Sequence, residues 1–327
     1  MKLNKNTANV LLNLLNGSNS STAISQNIQS VDVRSIQRSL ASLVESGIIN
    51  KHGSANKPTY TINYPKLLFI DLPEKILEYE ERAERFFNIE LINWLNQLSG
   101  EEIDKLFGDD IKSPINKKMT AKELEYLTIE LSWKSSALEG NTYTLLDTQL
   151  LLLEGIKAKN RTEFETQMIL NHKNAIAFIV ENIDLFGNNL TFRTVEELHK
   201  IIGFNLGIQP GIRKIIVQIT ASNYQPLSSP QLLRENADRI LSIINKAKNP
   251  FSRAILALSL FPYLQAFEDG NKRTGRMLAN ALLINSIGIG FSLRKTEAKK
   301  LALAYLSFYE FNSIKSLQLI LKSELLK

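Results

Sequence analysis

The chain has 327 residues, a 44% apolar fraction and a formal net charge of +6, which is enough sequence for two or three domains with packed cores. It contains no cysteine, so disulfides and thiolate metal sites are excluded, and an intracellular location fits. Its first residues lack the apolar block of a signal peptide, and its longest apolar stretch, residues 254–264, is too short to span a membrane. We therefore expect a soluble cytoplasmic protein with no membrane partner.

The charge is distributed unevenly along the chain. Residues 1–66 carry seven lysines and arginines against two acidic residues, whereas residues 69–110 carry twelve acidic residues against four basic ones. Such an asymmetry suggests different partners for the two segments. A nucleic-acid interface is expected in the basic N-terminal segment.

Residues 1–66 are predicted to form three short helices and a two-stranded hairpin. The apolar spacing gives the helices these approximate bounds: 5–15, 23–28 and 33–45. Asp32 is a plausible N-cap for the third helix, and Gly47 is suited to end it. Two strands at 48–51 and 59–62 follow, with a basic turn between them.

This order of elements resembles a winged helix-turn-helix domain. In that arrangement the third helix enters the major groove of duplex DNA. The resemblance places these residues at the DNA: Arg34, Ser35, Gln37 and Arg38 on the helix, with His52 and Lys57 on the wing. A winged helix that serves as a dimerisation or protein-docking module is the alternative.

Residues 67–119 are predicted to form an acidic helical connector in which no chemistry is evident. From residue 120 onward the pattern is almost entirely helical. The helices have these approximate bounds: 121–138, 146–154, 161–183, 230–247, 251–264, 272–286, 296–306 and 312–325. The exception is the alternating segment 212–220, which together with residues 223–226 predicts a β-hairpin.

The segment Gln265–Arg276 combines a tight turn with a cationic helix start. Three residues predict the turn: Asp269, Gly270 and Asn271. Lys272 then opens a helix, whose free N–H groups and positive dipole end offer an anion site. Arg273 and Arg276 share one helix face. Cations at a helix N-terminus cost about 0.3–1 kcal/mol each, which favours a bound polyphosphate over the alternative of a solvated basic first turn.

The predicted helix that opens the second half ends at Glu139 and Gly140. Gly140 is a natural C-terminal cap. The helix dipole disfavours a carboxylate in the last turn, so Glu139 is easier to explain if it meets a cation elsewhere in the fold. An exposed surface glutamate is the alternative.

Three motifs, taken in their order along the chain, resemble the Fic family. The run 267–276 is similar to the family signature, H-P-F-x-D/E-G-N-G/K-R-x-x-R, and the run 135–140 is similar to its inhibitory helix motif, S/T-x-x-x-E-G/N. Residues 211–226 resemble its flap hairpin. The resemblance covers about residues 120–325, and a Fic domain with an added winged helix is an arrangement known from bacteria.

The resemblances together imply a mainly α fold. We expect an N-terminal winged helix-turn-helix domain at 1–66, the connector at 67–119, and an all-helical Fic-like domain at 120–327. The Fic-like domain would carry a small β-hairpin flap and an inhibitory helix at about 121–140. They also imply a target protein docked on the flap at 212–224 by strand addition, and a homo-oligomer.

The family transfers AMP from ATP to a hydroxyl group of a target protein. Carried over to this sequence, Asp269 would hold Mg²⁺ together with the nucleotide. The phosphates would be held by Gly270, Asn271, Lys272, Arg273 and Arg276. Arg276 would contact the γ-phosphate, and Glu139 would pair with Arg276 and exclude the productive pose. The inhibitory motif comprises Ser135, Glu139 and Gly140.

The sequence departs from the family at the signature itself. Lys272 and Ala266 replace the commoner Gly and Pro, and both resemble the Doc toxin variant, which phosphorylates its target. Gln265 stands where the family has its catalytic histidine. A glutamine amide cannot accept a hydroxyl proton near neutral pH, and losing a general base costs about 10²–10⁴-fold in rate. His172 and His199 match no catalytic position, and His199 is predicted to lie in the helical core.

Three functions remain open from the sequence. The first is a Fic-fold protein that binds nucleotide, has weak or absent AMP transfer, and acts as a regulator. The second is an active adenylyl- or phosphotransferase that tolerates Gln265. The third is a DNA-binding transcriptional regulator whose Fic domain is only a scaffold.

Overall fold

The computed structural model describes residues 3–28, 31–54, 56–78, 82–109 and 118–325. The predicted connector falls partly outside these residues, at 79–81 and 110–117. The α-helices are, in chain order, α1 (Lys5–Leu15), α2 (Ser21–Asn27), α3 (Val33–Glu45), α4 (Tyr64–Leu67), α5 (Glu74–Leu77), α6 (Ile89–Gln97), α7 (Gly100–Phe107), α8 (Ala121–Ala137), α9 (Leu145–Glu154), α10 (Glu163–Glu181), α11 (Phe192–Gly203), α12 (Pro230–Lys246), α13 (Pro250–Leu264), α14 (Asn271–Ile287), α15 (Ala298–Phe311) and α16 (Lys315–Leu325). A 3₁₀ helix covers Ile183–Phe186. The fold is mainly helical, as predicted.

The chain divides into two compact units. One unit comprises Met1–Leu91, Gln218–Pro226 and Lys299–Gln318, and the other comprises Ile92–Val217, Leu227–Ala298 and Leu319–Lys327. Both units are discontinuous in sequence, whereas the three predicted segments are continuous.

The first unit begins with the predicted three helices and hairpin. Strands β1 (Ile49–Ser54) and β2 (Lys57–Ile62) pair antiparallel. The side chain of Asp32 accepts a hydrogen bond from the backbone N–H of Ser35 at 3.0 Å, which caps α3 as expected. Apolar side chains of α1, α2, α3 and β1 form one buried cluster that also takes in Phe311 from α15. The local signals in the sequence thus gave the correct elements.

The hairpin predicted over 212–226 does not form within the described part of the chain. Strand β4 (Tyr224–Gln225) pairs in parallel with β3 (Arg85–Phe86), and residues 212–220 pair with no strand of the described residues. Alternating apolar residues indicated extended backbone, but they carry no information about which strand lies beside it. Ile215 and Ile216 remain exposed.

In the second unit, α13 and α14 pack directly against each other. Each α13 residue from Phe251 to Leu264 is buried. A Cβ added at Gly275 would lie 2.7 Å from Cγ of Pro262, so glycine is required for the close approach of α14 to α13. The turn that joins the two helices is therefore anchored on both sides by packed helix.

Around this pair, α8 packs on α10, α10 on α11, and α11 on α14. The end of α8, the middle of α10 and the turn between α13 and α14 are thus brought together. The helices described in the structure include none that is long and apolar enough to cross a membrane.

Candidate functional site

The site is built on the turn between α13 and α14. Gln265 follows α13 in the left-handed conformation, with φ of 52°, and Gly270 precedes α14 with φ of 77°. Thr274 N donates to Gly270 O at 2.8 Å, the bond that begins the helix. The N–H groups of the three residues before Thr274 therefore lie in the first turn, where a helix has no internal acceptors.

The start of α14 has no side-chain cap, because its N-cap residue is Gly270. By contrast, α8, α9 and α10 each begin with a threonine in a reciprocal capping box. The positive end of the α14 dipole is thus not neutralised by a capping oxygen, which makes it suited to an anion.

The side chain of Asn271 holds the turn together. Its Oδ1 accepts from Phe267 N at 3.0 Å, and its Nδ2 donates to Phe267 O at 2.8 Å and to Gln265 Oε1 at 3.1 Å. Since all its side-chain bonds stay within the turn, Asn271 can reach a ligand only through its backbone.

Gln265 also makes side-chain hydrogen bonds within this region, one from each end of its amide. Its Nε2 donates to Pro262 O at 2.6 Å, and its Oε1 accepts from Asn271, so the amide caps a carbonyl at the end of α13. The residue is 8% exposed. A neutral amide held in this way has no basic atom to offer a substrate.

Arg273 is a buried cation with incomplete hydrogen bonding. The residue is 2% exposed, and its Nη2 donates to Asp269 Oδ2 at 2.9 Å. Its Nε and Nη1 are buried and have no hydrogen-bond partner among the described residues. The side chain of Asp269 is 65% exposed, and its Oδ1 also accepts from Gly270 N at 2.6 Å. Two orphaned donors on a buried guanidinium need a further acceptor, since such groups are rarely left unpaired.

Arg276, one turn further along α14, is fully paired on the side facing α8. Its Nε donates to Ser135 Oγ at 2.9 Å, and its Nη2 donates to Ser135 O at 3.1 Å and to Glu139 Oε1 at 2.8 Å. Arg276 is 1% exposed and the Glu139 side chain 22%. The cation that the sequence required for Glu139 is therefore Arg276.

Glu139 lies slightly beyond the place predicted for it. The helix α8 ends at Ala137 and Leu138 is its C-cap, so Glu139 lies in the following turn rather than in the helix. Gly140 follows in a left-handed conformation with φ of 90°. The turn directs the carboxylate to Arg276, and this ion pair removes the unfavourable interaction expected of a carboxylate at a helix end.

The segment after Glu139 is fixed to the start of α10. The carboxylate of Glu165 accepts from both N and Oγ1 of Thr142 and of Thr162. These bonds, led by the Thr142 hydroxyl, lower the pKa of Glu165 to about 2. The segment that ends the predicted inhibitory helix is thus held by two sets of contacts, between Glu139 and Arg276 and between Thr142 and Glu165.

Two buried histidines, one on α10 and one on α11, contact residues of the site. His199 Nε2 lies 2.9 Å from Asp269 O, and its ring stacks on Phe267 at 3.7 Å between centroids. His172 Nε2 lies 2.8 Å from Ser135 Oγ, and its Nδ1 lies 2.8 Å from Met168 O and 3.3 Å from Ser136 Oγ. Burial lowers the pKa of His172 to about 3 and that of His199 to about 4. Both rings are neutral near pH 7.

Arg213 connects the segment after α11 to the same turn. It is 3% exposed and donates to the carbonyl oxygens of Gln265, at 2.7 Å, and of Ile215 and Leu227. Its backbone N–H also donates to Ala266 O at 3.0 Å. Arg213 thus links the backbone of the predicted flap, at Ile215 and Leu227, to the backbone of the turn at Gln265 and Ala266.

The predicted DNA-binding residues lie in the first unit. Arg34, Gln37 and Arg38 are exposed on α3, opposite the buried Ile36 and Leu40. Of the remaining predicted residues, Lys57 and His52 are exposed on the hairpin, whereas Ser35 is partly buried and its hydroxyl donates to Asp32 at 2.7 Å. Ser35 thus serves the helix cap instead of facing outward with the arginines.

Sequence reasoning gave no role to His172 or Arg213. Ser135 is 37 residues from His172, and Gln265 is 52 residues from Arg213, so no local spacing pattern could have revealed either contact. His199 is buried on α11, as predicted, but its bond to the Asp269 carbonyl was equally invisible in the sequence.

Comparison with known proteins shows what this chain is similar to. Residues 189–283 match the Fic/DOC family model. The chain is 27% identical over 190 residues to "Protein adenylyltransferase Fic" of Nematostella vectensis, which covers 57% of this chain and 43% of that protein. It is 25% identical over 157 residues to "Protein adenylyltransferase fic-1" of Caenorhabditis elegans, which covers 46% of this chain and 30% of that protein. The matches thus span less than half the length of these relatives.

Solved structures share the fold. Fic-1 of C. elegans aligns with a TM-score of 0.50 and 19% identity over 72% of this chain and 67% of that chain. A Fic family protein of Desulfovibrio desulfuricans aligns with a TM-score of 0.50 and 16% identity over 72% of each. The family match contains the turn between α13 and α14, whereas Ser135, Glu139 and His172 lie before it. Residues 189–283 of this chain therefore form a domain of the Fic/DOC family.

Proposed function

We propose that the second unit binds ATP at the start of α14, that Glu139 restrains it, and that its transfer of AMP to a protein hydroxyl is weak, so that it acts as a nucleotide-responsive regulator. The observation that carries this proposal is Arg273, which lies next to an uncapped helix start and whose buried Nε and Nη1 find no partner in the part of the chain that the structure describes. An oxyanion of a phosphate supplies the acceptors that both features lack.

The choice of ATP among phosphate ligands rests on the relatives, which are named as protein adenylyltransferases. Three groups at the start of α14 can share a chain of phosphates. They are the first-turn N–H groups, the guanidinium of Arg273 and, once released from Glu139, the guanidinium of Arg276. Gly270 and Lys272 complete the proposed site, the first through its backbone and the second through its charge.

A divalent ion that arrives with the nucleotide would be held mainly by phosphate oxygens. Within the described residues, no three histidines or carboxylates are close enough to form a resident metal site. Asp269 is exposed and directly precedes Gly270, so its carboxylate could join an ion held mainly by phosphate oxygens. Mg²⁺ is proposed for that place, where it would neutralise phosphate charge.

The restraint is proposed from the Glu139–Arg276 ion pair. While Nη2 of Arg276 donates to Glu139 Oε1, the same donor is withdrawn from any ligand at the helix start. A hydrogen bond of this charged type contributes about 1.5–3 kcal/mol. Opening the pair would therefore expose a second cation to the nucleotide, by way of a motif that also includes Ser135 and Gly140.

The weakness of transfer is proposed from Gln265. Transfer of AMP forms a bond from the hydroxyl oxygen to the α-phosphorus, releases pyrophosphate and leaves a hydroxyl proton that needs an acceptor. The amide of Gln265 is bonded to Pro262 and Asn271 and has no basic nitrogen. The competing proposal is an active transferase, of adenylyl or, given Lys272 and Ala266, of phosphoryl groups.

Calorimetric titration with Mg–ATP tests the proposal directly. We expect Glu139→Gly to bind Mg–ATP more tightly than the wild type, and Arg273→Gln, in the Glu139→Gly background, to lose that binding. Lys200→Gln, on the exposed side of α11, is the matched charge-removal control. Absence of binding in Glu139→Gly would refute the nucleotide site and favour the scaffold function.

Transfer itself is tested with ATP labelled at the α- or the γ-phosphate. The proposal predicts little incorporation of either label in wild type or Glu139→Gly. Strong α-label incorporation by Glu139→Gly alone would show an active adenylyltransferase and refute the regulatory proposal, whereas γ-label alone would show a phosphotransferase. The exposed Ile215 and Ile216 are the proposed docking point for a target segment.

A second proposed function is duplex DNA binding by the first unit. Its specific support is that Arg34 and Arg38 are exposed one turn apart on α3 with no ion pair to a carboxylate of the described residues, and Gln37 lies between them. We expect a DNA mobility shift that weakens with salt and is lost in Arg34→Ala/Arg38→Ala. A shift insensitive to salt and to both substitutions would refute DNA contact through α3, and absence of any shift would favour protein docking.

A further inference from the structure

A buried chain of hydrogen bonds connects His172 to Arg276 through the hydroxyl of Ser135. The ring is fully buried, and Nδ1 lies 2.8 Å from the carbonyl oxygen of Met168. Ser136 Oγ also lies 3.3 Å from Nδ1, and as a hydroxyl it can accept or donate. The nearer carbonyl oxygen can only accept, so the proton of the neutral ring is on Nδ1. The other nitrogen, Nε2, lies 2.8 Å from Ser135 Oγ and must accept its hydroxyl proton.

This assignment fixes the direction of the Ser135 hydroxyl. Because its proton points to His172, the lone pairs of Oγ are left for Nε of Arg276, 2.9 Å away. The backbone carbonyl of Ser135 accepts from Nη2 of the same arginine at 3.1 Å. Ser135 therefore supplies two of the three acceptors that hold Arg276, and Glu139 supplies the third.

We propose that His172 is a positioning residue for Arg276. By orienting the Ser135 hydroxyl, His172 keeps the guanidinium of Arg276 bonded to Ser135 and away from the nucleotide. The inference rests on the proposed function, since it assumes that Arg276 competes between Ser135 and a phosphate. The restraint on Arg276 would then have two components, the ion pair with Glu139 and the fully buried hydrogen bonds with Ser135. Removal of Glu139 alone leaves this component in place.

Loss of the imidazole removes the constraint on Ser135. A free serine hydroxyl inside a helix turns its proton to the carbonyl oxygen of the preceding turn. Its oxygen is then poorly directed to Arg276, and the held orientation of the guanidinium loses a charge-assisted hydrogen bond. The fraction of molecules with Arg276 available to a ligand rises, and the apparent dissociation constant falls in proportion.

Calorimetry with Mg–ATP on the full chain separates this role from a structural one. We expect His172→Phe and Ser135→Ala each to bind about tenfold more tightly than the wild type, the size expected for one such bond. The double variant should bind no more tightly than Ser135→Ala, because His172 acts only through Ser135. His172→Gln, which keeps a donor and an acceptor, should return towards wild-type affinity.

The tautomer can be checked in the wild type, which needs no destabilising change. In long-range ¹H–¹⁵N spectra of ¹⁵N-histidine protein, His172 should carry its proton on Nδ1, and its Nε2 resonance should shift in Ser135→Ala. A proton on Nε2 in the wild type would overturn the inference, even if His172→Phe does not fold.

Independent effects of the two substitutions, with affinities that multiply in the double variant, would also overturn it. An affinity of His172→Phe for Mg–ATP equal to that of the wild type, when Glu139→Gly binds Mg–ATP tightly, would overturn the inference as well. In that case the proposed nucleotide site would survive. Absence of Mg–ATP binding in every variant, Glu139→Gly included, would refute the proposed function and this inference together.

Discussion

The substitution Gln265→His tests whether the missing general base limits this protein. A base of suitable pKa contributes about 10²–10⁴-fold in rate. Gln265 now makes two hydrogen bonds, to Pro262 O and from Asn271 Nδ2. A neutral imidazole, with one donor and one acceptor, would be drawn to the same two partners. We therefore expect the rate of AMP transfer to rise by about 10²-fold, near the lower end of the range for a general base.

The substitution also has a structural effect that can be measured separately. Nε2 of Gln265 caps the carbonyl of Pro262 at 2.6 Å, and the shorter imidazole cannot reach both partners with the same geometry. Loss of one neutral hydrogen bond lowers the free energy of unfolding by about 1 kcal/mol. The chain's two tryptophans lie in the second unit, so their fluorescence during urea unfolding reports this change.

The assay is self-labelling with α-labelled ATP in the Glu139→Gly background, with γ-labelled ATP in parallel. Gln265→Asn is the matched control, because it keeps an amide and provides no base. Equal label in the Asn and His variants would refute the reasoning. So would an unchanged rate in Gln265→His when calorimetry shows that Mg–ATP still binds.

Three further predictions follow from buried groups of the second unit. Burial lowers the pKa of His172 to about 3 and that of His199 to about 4, so unfolding near pH 5 takes up about two protons. The stabilising contribution of the two neutral rings is fully present above the ordinary histidine pKa of about 6.5 and is lost as the pH falls below it. Near pH 5 the free energy of unfolding, measured by urea titration, should fall by about 2.5 kcal/mol per pH unit. A flat profile there would contradict the assigned burial. Gly275→Ala should lower the free energy of unfolding by about 1–3 kcal/mol, because its Cβ would meet Pro262 Cγ at 2.7 Å, and an unchanged urea midpoint would contradict that packing. Glu139→Gly should raise calorimetric affinity about tenfold for Mg–ATP but not for Mg–ADP, and equal gains would contradict a γ-phosphate contact for Arg276.

Local elements were predictable because their causes are local. The bounds of α3 follow from a cap at Asp32 and a glycine at position 47, both within hydrogen-bonding reach of the helix ends. The burial of α13 follows from the apolar run at 254–264, which is interrupted only by Ser259 and Pro262. The contact between Glu139 and Arg276 was also expected, but only from a motif resemblance, since the residues are 137 positions apart.

The remaining features depend on contacts that periodicity cannot encode. The extended chain near Tyr224 was predicted, yet its partner strand at Arg85–Phe86 belongs to a segment assigned to a connector. Arg213 was assigned only to the predicted flap hairpin, and the structure buries its side chain against three carbonyl oxygens. A guanidinium satisfied by backbone carbonyls leaves no complementary acid in the sequence to reveal it.

Arg273 and Arg276 are 2% and 1% exposed on the same helix, yet they are satisfied to different degrees. Arg276 has Ser135 and Glu139, while Arg273 has a single bond to a carboxylate that is mostly in solvent. A buried cation with orphaned donors is destabilising, so Arg273 needs an acceptor that the described residues do not provide. Glu139 restrains only the second arginine and leaves the first available. The ion pair would therefore control how a nucleotide's terminal phosphate is held, and not whether a nucleotide can bind at all.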